Sequence, residues 1–132
     1  MPYVAIVTVV ALLQFIWFGW QVGAARTRYN IPAPAVSGNE IFDRVFRVHV
    51  NTLEQLVVFL PALWIFAFFV SPIWAAALGV VFIIGRAIYA RSYVKDPKGR
   101  TLGFAMSALP QLLLLLGILI WAVWALIKAP AI

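Results

Sequence analysis

Charged residues are absent from three long stretches of the chain, and this pattern predicts most of its secondary structure. The uncharged stretches are residues 1–25, 55–85 and 101–127. A helix needs about 20 residues to cross the ~30 Å hydrocarbon layer of a bilayer, so the first and last stretches each hold one span. Ser71-Pro72 divides the middle stretch into two spans, because proline commonly follows a helix end. The pattern predicts a single domain over residues 1–132, with transmembrane helices at 3–25, 42–70, 73–95 and 101–127.

The composition supports a membrane protein and excludes several other classes. Hydrophobic residues make up 65% of the 132 residues and charged residues only 11%, whereas a soluble domain carries about 25% charged residues. A soluble fold of this size could not bury so much apolar surface, and a disordered chain would contain far less of it. Backbone polar groups must pair internally in lipid, so we expect an all-α integral membrane four-helix bundle. Cysteine is absent, which excludes thiolate metal sites and a cysteine nucleophile.

Most basic residues lie in two loops or at the start of span 2, whereas the turn between spans 2 and 3 carries no charge. Lys and Arg concentrate on the cytoplasmic side of membranes, so we expect both basic loops in the cytoplasm and both termini outside. No processed leader or retrieval signal is recognisable, which fits a bacterial inner membrane. The net charge is +6, but the basic residues flank the spans and do not form an extended basic surface. We therefore expect no nucleic-acid partner. The loop cations are Arg26 and Arg28 after span 1, and Arg91, Lys95, Lys98 and Arg100 after span 3.

Polar residues occupy one face of span 2 near its first end. Arg47, Asn51 and Glu54 are spaced by four and three residues, which places them on the same side of a helix. A carboxylate at the edge of the hydrocarbon layer is costly and must face a partner or a wet cavity. The spacing alone leaves two interpretations open: a ligand site, or an internal polar cluster that joins the helices.

A second polar face lies at the end of span 3. Arg86, Tyr89 and Tyr93 are spaced by three and four residues, and Arg100 precedes span 4. Spans 2, 3 and 4 therefore bring several guanidiniums, two phenols, an amide and one carboxylate to one depth. Arginine binds carboxylates through two parallel hydrogen bonds, and Glu54 would bind an ammonium. The set suits a ligand with several anionic groups and one ammonium, and no residue spacing indicates a metal site.

Two segments resemble one known family. The run RVFRVHVNTLEQLVVFLPALW, residues 44–64, resembles the signature of the MAPEG family, membrane-associated proteins in eicosanoid and glutathione metabolism. GRAIYARSY, residues 85–93, followed by Arg100, resembles the third helix and fourth-helix start of the same family. The likeness covers nearly the whole chain. It implies a four-helix bundle assembled as a homotrimer, with glutathione as co-substrate between neighbouring subunits near the cytoplasmic face.

The resemblance also implies a role for particular residues. Arg100 matches the arginine beside the thiol in the leukotriene-forming members, where a fixed guanidinium favours the thiolate of a thiol whose free pKa is about 8.5. The thiolate would attack a lipophilic electrophile or a lipid hydroperoxide, as in a glutathione transferase or peroxidase of detoxification. Gln55 departs from those members, which carry a tyrosine there. The implied glutathione-binding residues are Arg47, Asn51, Glu54, Arg86, Tyr89 and Tyr93, with Arg26 reaching in from a neighbouring subunit.

Two other functions remain open at this stage. A non-catalytic membrane protein of the same fold could bind a lipid or another thiol, since the fold alone does not establish an enzyme. A pure lipid binder does not need the polar residues that argue for the transferase, which are Arg47, Asn51, Glu54, Tyr93 and Arg100. A small proton-coupled exporter would also have four spans and one membrane carboxylate. Exporters of the small multidrug type carry that carboxylate in span 1, which has no charge here.

Overall fold

The computed structural model describes residues 1–130, so residues 131–132 of the expected domain lie outside the described part. It contains four long helices, and all four are long and apolar enough to cross a membrane. The expected all-α, four-span membrane bundle is therefore confirmed. The helices are α1 (Pro2–Tyr29), α2 (Glu40–Phe69), α3 (Pro72–Lys95) and α4 (Thr101–Lys128), with a one-turn 3₁₀ helix at Pro97–Arg100 before α4.

Local sequence accounts for where the helices begin. The Asn39 side chain accepts hydrogen bonds from the backbone N–H groups of Ile41 and Phe42, at 2.9 and 3.1 Å, and so caps α2. The Ser71 hydroxyl accepts from the Trp74 N–H at 3.3 Å and caps α3. Pro72 follows at the first helical position, where its missing N–H costs nothing. The α2–α3 break thus falls at the Ser-Pro pair.

The helices run up and down, so one end of the bundle contains the α1–α2 loop and the α3–α4 turn. We call this the basic end. Arg44, at the start of α2, forms an ion pair with Glu40. Its guanidinium also donates to the backbone carbonyls of Val94 and Lys95, at 3.1 and 3.4 Å. A cation here satisfies free carbonyls at the end of α3 and fastens it to the start of α2.

Helices α3 and α4 cross closely, and two glycines make this crossing possible. A Cβ on Gly103 would lie 2.3 Å from the backbone N of Tyr89. A Cβ on Gly85 would lie 2.7 Å from the backbone carbonyl carbon of Met106. Both distances are far below van der Waals contact, so the backbones touch only because neither position carries a side chain. The crossing sets the first turn of α4, and with it Arg100, against α3.

The apolar core lies towards the opposite end of the bundle. The rings of Phe59 and Phe82 stack there at 3.8 Å, between α2 and α3. The indole N–H of Trp64 donates to the Thr8 hydroxyl at 3.0 Å and joins α2 to α1. By contrast, α4 exposes leucines such as Leu112 along most of its length. Such a surface faces lipid or another subunit, and the homotrimer stays a prediction.

Candidate functional site

A cavity of about 440 Å³ opens at the basic end between α2, α3 and α4. It is lined by five of the eight site residues predicted from the sequence, and these five come from segments that are distant in the chain. No carboxylate lines it among the described residues. The lining residues are Arg47, Asn51, Tyr89, Tyr93, Arg100, Thr101 and Phe104.

Arg47 and Glu54 form an ion pair beside this cavity. Nη1 of Arg47 lies 3.1 Å from Oε1 of Glu54, and Nη2 lies 3.5 Å from Oε2. The guanidinium thus spans both carboxylate oxygens across two helical turns. The two side chains are 48% and 52% exposed in the single chain. Exposed pairs of this kind contribute little to stability, so both groups can exchange their partner for a ligand.

Arg86 lies behind the cavity wall and does not line it. Its fully buried guanidinium donates from Nη2 to Asn51 Oδ1 at 2.7 Å and to the Thr52 hydroxyl at 2.9 Å. Nη1 donates to the Ser107 hydroxyl at 3.4 Å. The side chain turns inward because α2 and α4 supply these acceptors, and buried charge requires them. Arg86 therefore contacts residues of the cavity, and its direct contact with a ligand stays a prediction of the resemblance.

The Arg86 contacts determine what the cavity wall can offer. Because the carbonyl oxygen of Asn51 accepts from Arg86, the amide N–H₂ is the end left for a ligand. The Tyr89 ring lies under the Arg86 guanidinium, 4.4 Å from ring centre to the central carbon. Tyr93 stacks on Tyr89 with ring centres 5.4 Å apart and an angle of 11°. The wall thus presents an amide donor and a flat pair of phenols.

Arg100 is an exposed cation at the mouth of the cavity. It ends the 3₁₀ helix and immediately precedes the first turn of α4. Within residues 1–130 it has no ion pair, whereas Arg47 has Glu54. The free N–H groups at a helix start favour an anion by about 0.3–1 kcal/mol, in addition to the guanidinium itself. The position is suited to holding a negative charge, such as a thiolate.

Arg26 is not brought to the cavity within one chain. Its guanidinium donates to the backbone carbonyls of Ala35 and Ile31, at 2.6 and 3.4 Å. It also lies over the Phe42 ring, 5.1 Å from the ring centre. These contacts order the α1–α2 loop at the basic end. The contribution of Arg26 to a neighbouring subunit stays a prediction of the resemblance.

Several residues of the site were not singled out from the sequence. Thr101 and Phe104 line the cavity one and four residues after Arg100, a helical spacing that could have indicated them. Gln55 makes a contact that no local pattern reveals, because its partner Gln111 is 56 residues away. The Gln111 amide donates to Gln55 and to the Ser107 carbonyl, the latter at 2.9 Å. The sequence analysis named Gln55 only as a departure from the resembled pattern, whereas the structure shows that it joins α2 to α4.

Comparisons with known proteins agree with this architecture. The MAPEG family matches residues 4–120 of the chain. An uncharacterized protein of Synechocystis sp. is 43% identical over 122 residues, covering 92% of this chain and 89% of that protein. Human microsomal glutathione S-transferase 2 is 38% identical over 116 residues, covering 87% of this chain and 79% of the transferase. Mouse leukotriene C4 synthase is 34% identical over 96 residues, covering 73% and 64% respectively. The chain therefore belongs to the MAPEG family of integral membrane proteins.

Proposed function

We propose that this protein is a glutathione-dependent membrane transferase that also reduces lipid hydroperoxides. The observation that carries the proposal is the meeting of two guanidiniums, Arg47 and Arg100, with an amide and two phenols in one cavity at the basic end. Glutathione has two carboxylates and one thiol, which these donors complement, and Glu54 beside the cavity complements its one ammonium. The similarity to a glutathione S-transferase over most of both chains supports the same assignment.

Each end of glutathione has a partner of opposite charge in this proposal. Arg47 and the Asn51 amide bind carboxylate, since guanidinium and amide N–H groups both donate. Glu54, released in part from Arg47, binds the ammonium. The stacked rings of Tyr89 and Tyr93 form the aromatic wall against which the peptide lies. Arg86 acts through Asn51 and Tyr89, as a positioning residue without contact to the ligand.

The chemistry requires a thiolate, and Arg100 supplies the charge that favours it. The thiol proton leaves to water, and the anion is held by the guanidinium and the start of α4. In transfer, sulfur forms a bond to the carbon of the electrophile while the leaving group departs with its electron pair. In peroxide reduction, sulfur forms a bond to the terminal oxygen of the hydroperoxide and the O–O bond breaks. The alkoxide takes a proton from water and leaves as an alcohol, and the sulfur is left as a sulfenic acid. A second glutathione then converts the sulfenic acid to the disulfide and water.

The proposed setting is a homotrimer in the bacterial inner membrane, with both termini outside. The positive-inside rule places the basic end, and hence the cavity, on the cytoplasmic side. A charged tripeptide can then enter from the cytoplasm while the lipophilic substrate arrives through the bilayer. The exposed Arg47–Glu54 pair supports the proposed assembly, because a neighbouring subunit would shield the pair from lipid.

A conjugation assay tests the proposal. Purified protein in detergent is given glutathione with a chloronitrobenzene electrophile, and in parallel with a lipid hydroperoxide. We expect both products above the uncatalysed rate, with kcat/KM lowered about a hundredfold in Arg100→Ala. Lys98→Ala is the control, since it removes a cation from the same turn outside the cavity. Glutathione binding without either product would contradict the proposal and indicate a non-catalytic binding protein.

A further inference from the structure

A second groove, of about 750 Å³, runs between α1, α2 and α3 at the basic end. Its walls are apolar and include Phe18, Val45 and Val48. On α3, Ala90 faces this groove, whereas Tyr89 of the same helix lines the candidate glutathione cavity. The two spaces therefore lie on different sides of α3, and the groove plays no part in the proposed thiol chemistry.

Three cations lie along the groove where it meets the membrane surface. Arg28 lies in the last turn of α1, and Arg91 and Lys95 lie one turn apart on α3. None of the three has an ion pair within residues 1–130. No acidic residue lines the groove in that part of the chain. The groove thus combines apolar walls with unpaired positive charge at one end.

The dimensions of the groove fit acyl chains within one leaflet. From Gln14 to Arg28 on α1 the groove extends about 21 Å, at about 1.5 Å per helical residue. One leaflet contributes only ~15 Å of the ~30 Å hydrocarbon layer. The groove is therefore long enough to hold a whole acyl chain of one leaflet together with part of the headgroup. Gln14 closes the deep end by donating to the Ile83 carbonyl at 3.0 Å, which joins α1 to α3.

A second copy of this chain offers little negative charge for these cations. The chain has only four acidic residues. Glu40 and Glu54 are paired with arginines of their own helix. Asp43 accepts from the Gly38 N–H at 3.1 Å, and Asp96 accepts from the Lys98 N–H at 3.0 Å. The chain as a whole carries a net charge of +6, so an anionic molecule complements the three cations better than a second copy of the chain does.

We propose that this groove binds an anionic phospholipid. The phosphate lies among Arg28, Arg91 and Lys95, and an acyl chain lies along the apolar walls between α1 and α3. Basic pockets between transmembrane helices bind anionic headgroups in this way. The lipid fills the space that α1 and α3 leave between them and holds the end of α1 against the bundle.

Native mass spectrometry of the detergent-solubilised protein tests the proposal. Phosphatidylglycerol is titrated against phosphatidylcholine with identical acyl chains, for the parent and for the double variant Arg91→Gln/Lys95→Gln. We expect the parent to prefer phosphatidylglycerol. The double variant should lose about thirtyfold in affinity, because each cation near an anionic surface contributes about a factor of five. Lys98→Gln/Lys128→Gln is the matched control, since it removes two charges outside the groove.

The position of the acyl chain needs its own variant. Ala87 lies exposed in the groove, so Ala87→Phe adds bulk there without entering the core. We expect it to weaken phosphatidylglycerol binding with all three cations present. Equal retention of the two lipids by the parent would overturn the proposal. Equal loss in the control double variant, or unchanged binding in Ala87→Phe, would also overturn it.

Discussion

The guanidinium of Arg86 and the ring of Tyr89 are stacked 4.4 Å apart, one turn from each other on α3. Arg86 is fully buried, whereas Tyr89 also reaches the cavity wall. Through this contact, the buried hydrogen bonds of Arg86 fix the position of the Tyr89 ring in the cavity wall, where a ligand would touch it. Stacking of an arginine on an aromatic face is strengthened by desolvation, which the buried position provides.

Arg86→Lys tests the importance of this network. Lysine keeps the charge but cannot donate to Asn51, Thr52 and Ser107 from one planar group. We expect the protein to lose roughly 2 kcal/mol of stability from the unmade buried hydrogen bonds. Glutathione affinity should also fall, because Asn51 and Tyr89 lose their orientation. Thermal unfolding and glutathione titration in detergent measure the two effects.

Arg91→Lys is the matched control for that experiment, since it makes the same exchange at an exposed position of α3. It should leave both the unfolding temperature and the glutathione affinity unchanged. If Arg86→Lys also leaves both unchanged, the network does not organise the cavity wall.

Glu54→Gln tests the proposed ammonium contact. The Arg47–Glu54 pair is half-exposed, so its loss should cost less than about 1 kcal/mol of stability. Glutathione affinity should fall about tenfold, because a hydrogen bond to a charged group is worth about 1.5–3 kcal/mol. Calorimetric titration measures the affinity. Glu40→Gln is the control: it breaks the Arg44 pair away from the cavity and should leave binding unchanged. Equal affinities for Glu54→Gln and the parent would reject the assignment.

Gly103→Ala tests the crossing that sets Arg100 beside α3. The added methyl would lie 2.3 Å from the Tyr89 backbone N, so α4 must move away. Overpacking of this kind costs about 1–3 kcal/mol, and the displacement of Arg100 should lower conjugation as well. Gly23→Ala is the control, since its added methyl meets nothing within 4 Å. Unfolding curves and conjugation rates that are the same for both variants would show that the crossing tolerates a side chain.

The Gln55–Gln111 contact can be measured with a double-mutant cycle. Each glutamine is changed to leucine alone, and then both together. Hydrogen bonds between membrane helices are worth about 0.6 kcal/mol on average, so we expect a coupling free energy of that size between Gln55 and Gln111. The stabilities are compared by denaturant unfolding in detergent micelles. A coupling of zero would mean that the two amides do not interact in the folded protein.

The sequence predicts the four spans well because a helix that crosses the bilayer needs about 20 consecutive residues with almost no charge. It also brings Arg47, Asn51 and Tyr89 to one depth, since helical spacing fixes which face a residue occupies. Spacing does not say whether a side chain on that face turns outward or inward. Arg86 turns inward because α2 and α4 offer acceptors at Thr52 and Ser107. Both acceptors are far from Arg86 in the sequence, so no local pattern predicts these hydrogen bonds.

The assembly could not be predicted from helical spacing in the same way. The expected role of Arg26 depends on a second subunit, whereas within one chain its guanidinium binds the α1–α2 loop. Contacts between subunits leave no spacing pattern in a chain whose lipid-facing and subunit-facing surfaces are both apolar. Exposed leucines such as Leu112 illustrate this, because their chemistry suits either neighbour.

The ultraviolet absorbance of glutathione thiolate at neutral pH, recorded on titration into the purified protein, tests the central claim most directly. We predict a saturable thiolate signal for the parent and for Lys98→Ala. Arg100→Ala should still bind glutathione but show little thiolate, because its guanidinium no longer stabilises the anion. A parent that binds glutathione without forming thiolate would contradict the proposed activation, and so would an Arg100→Ala signal equal to that of the parent.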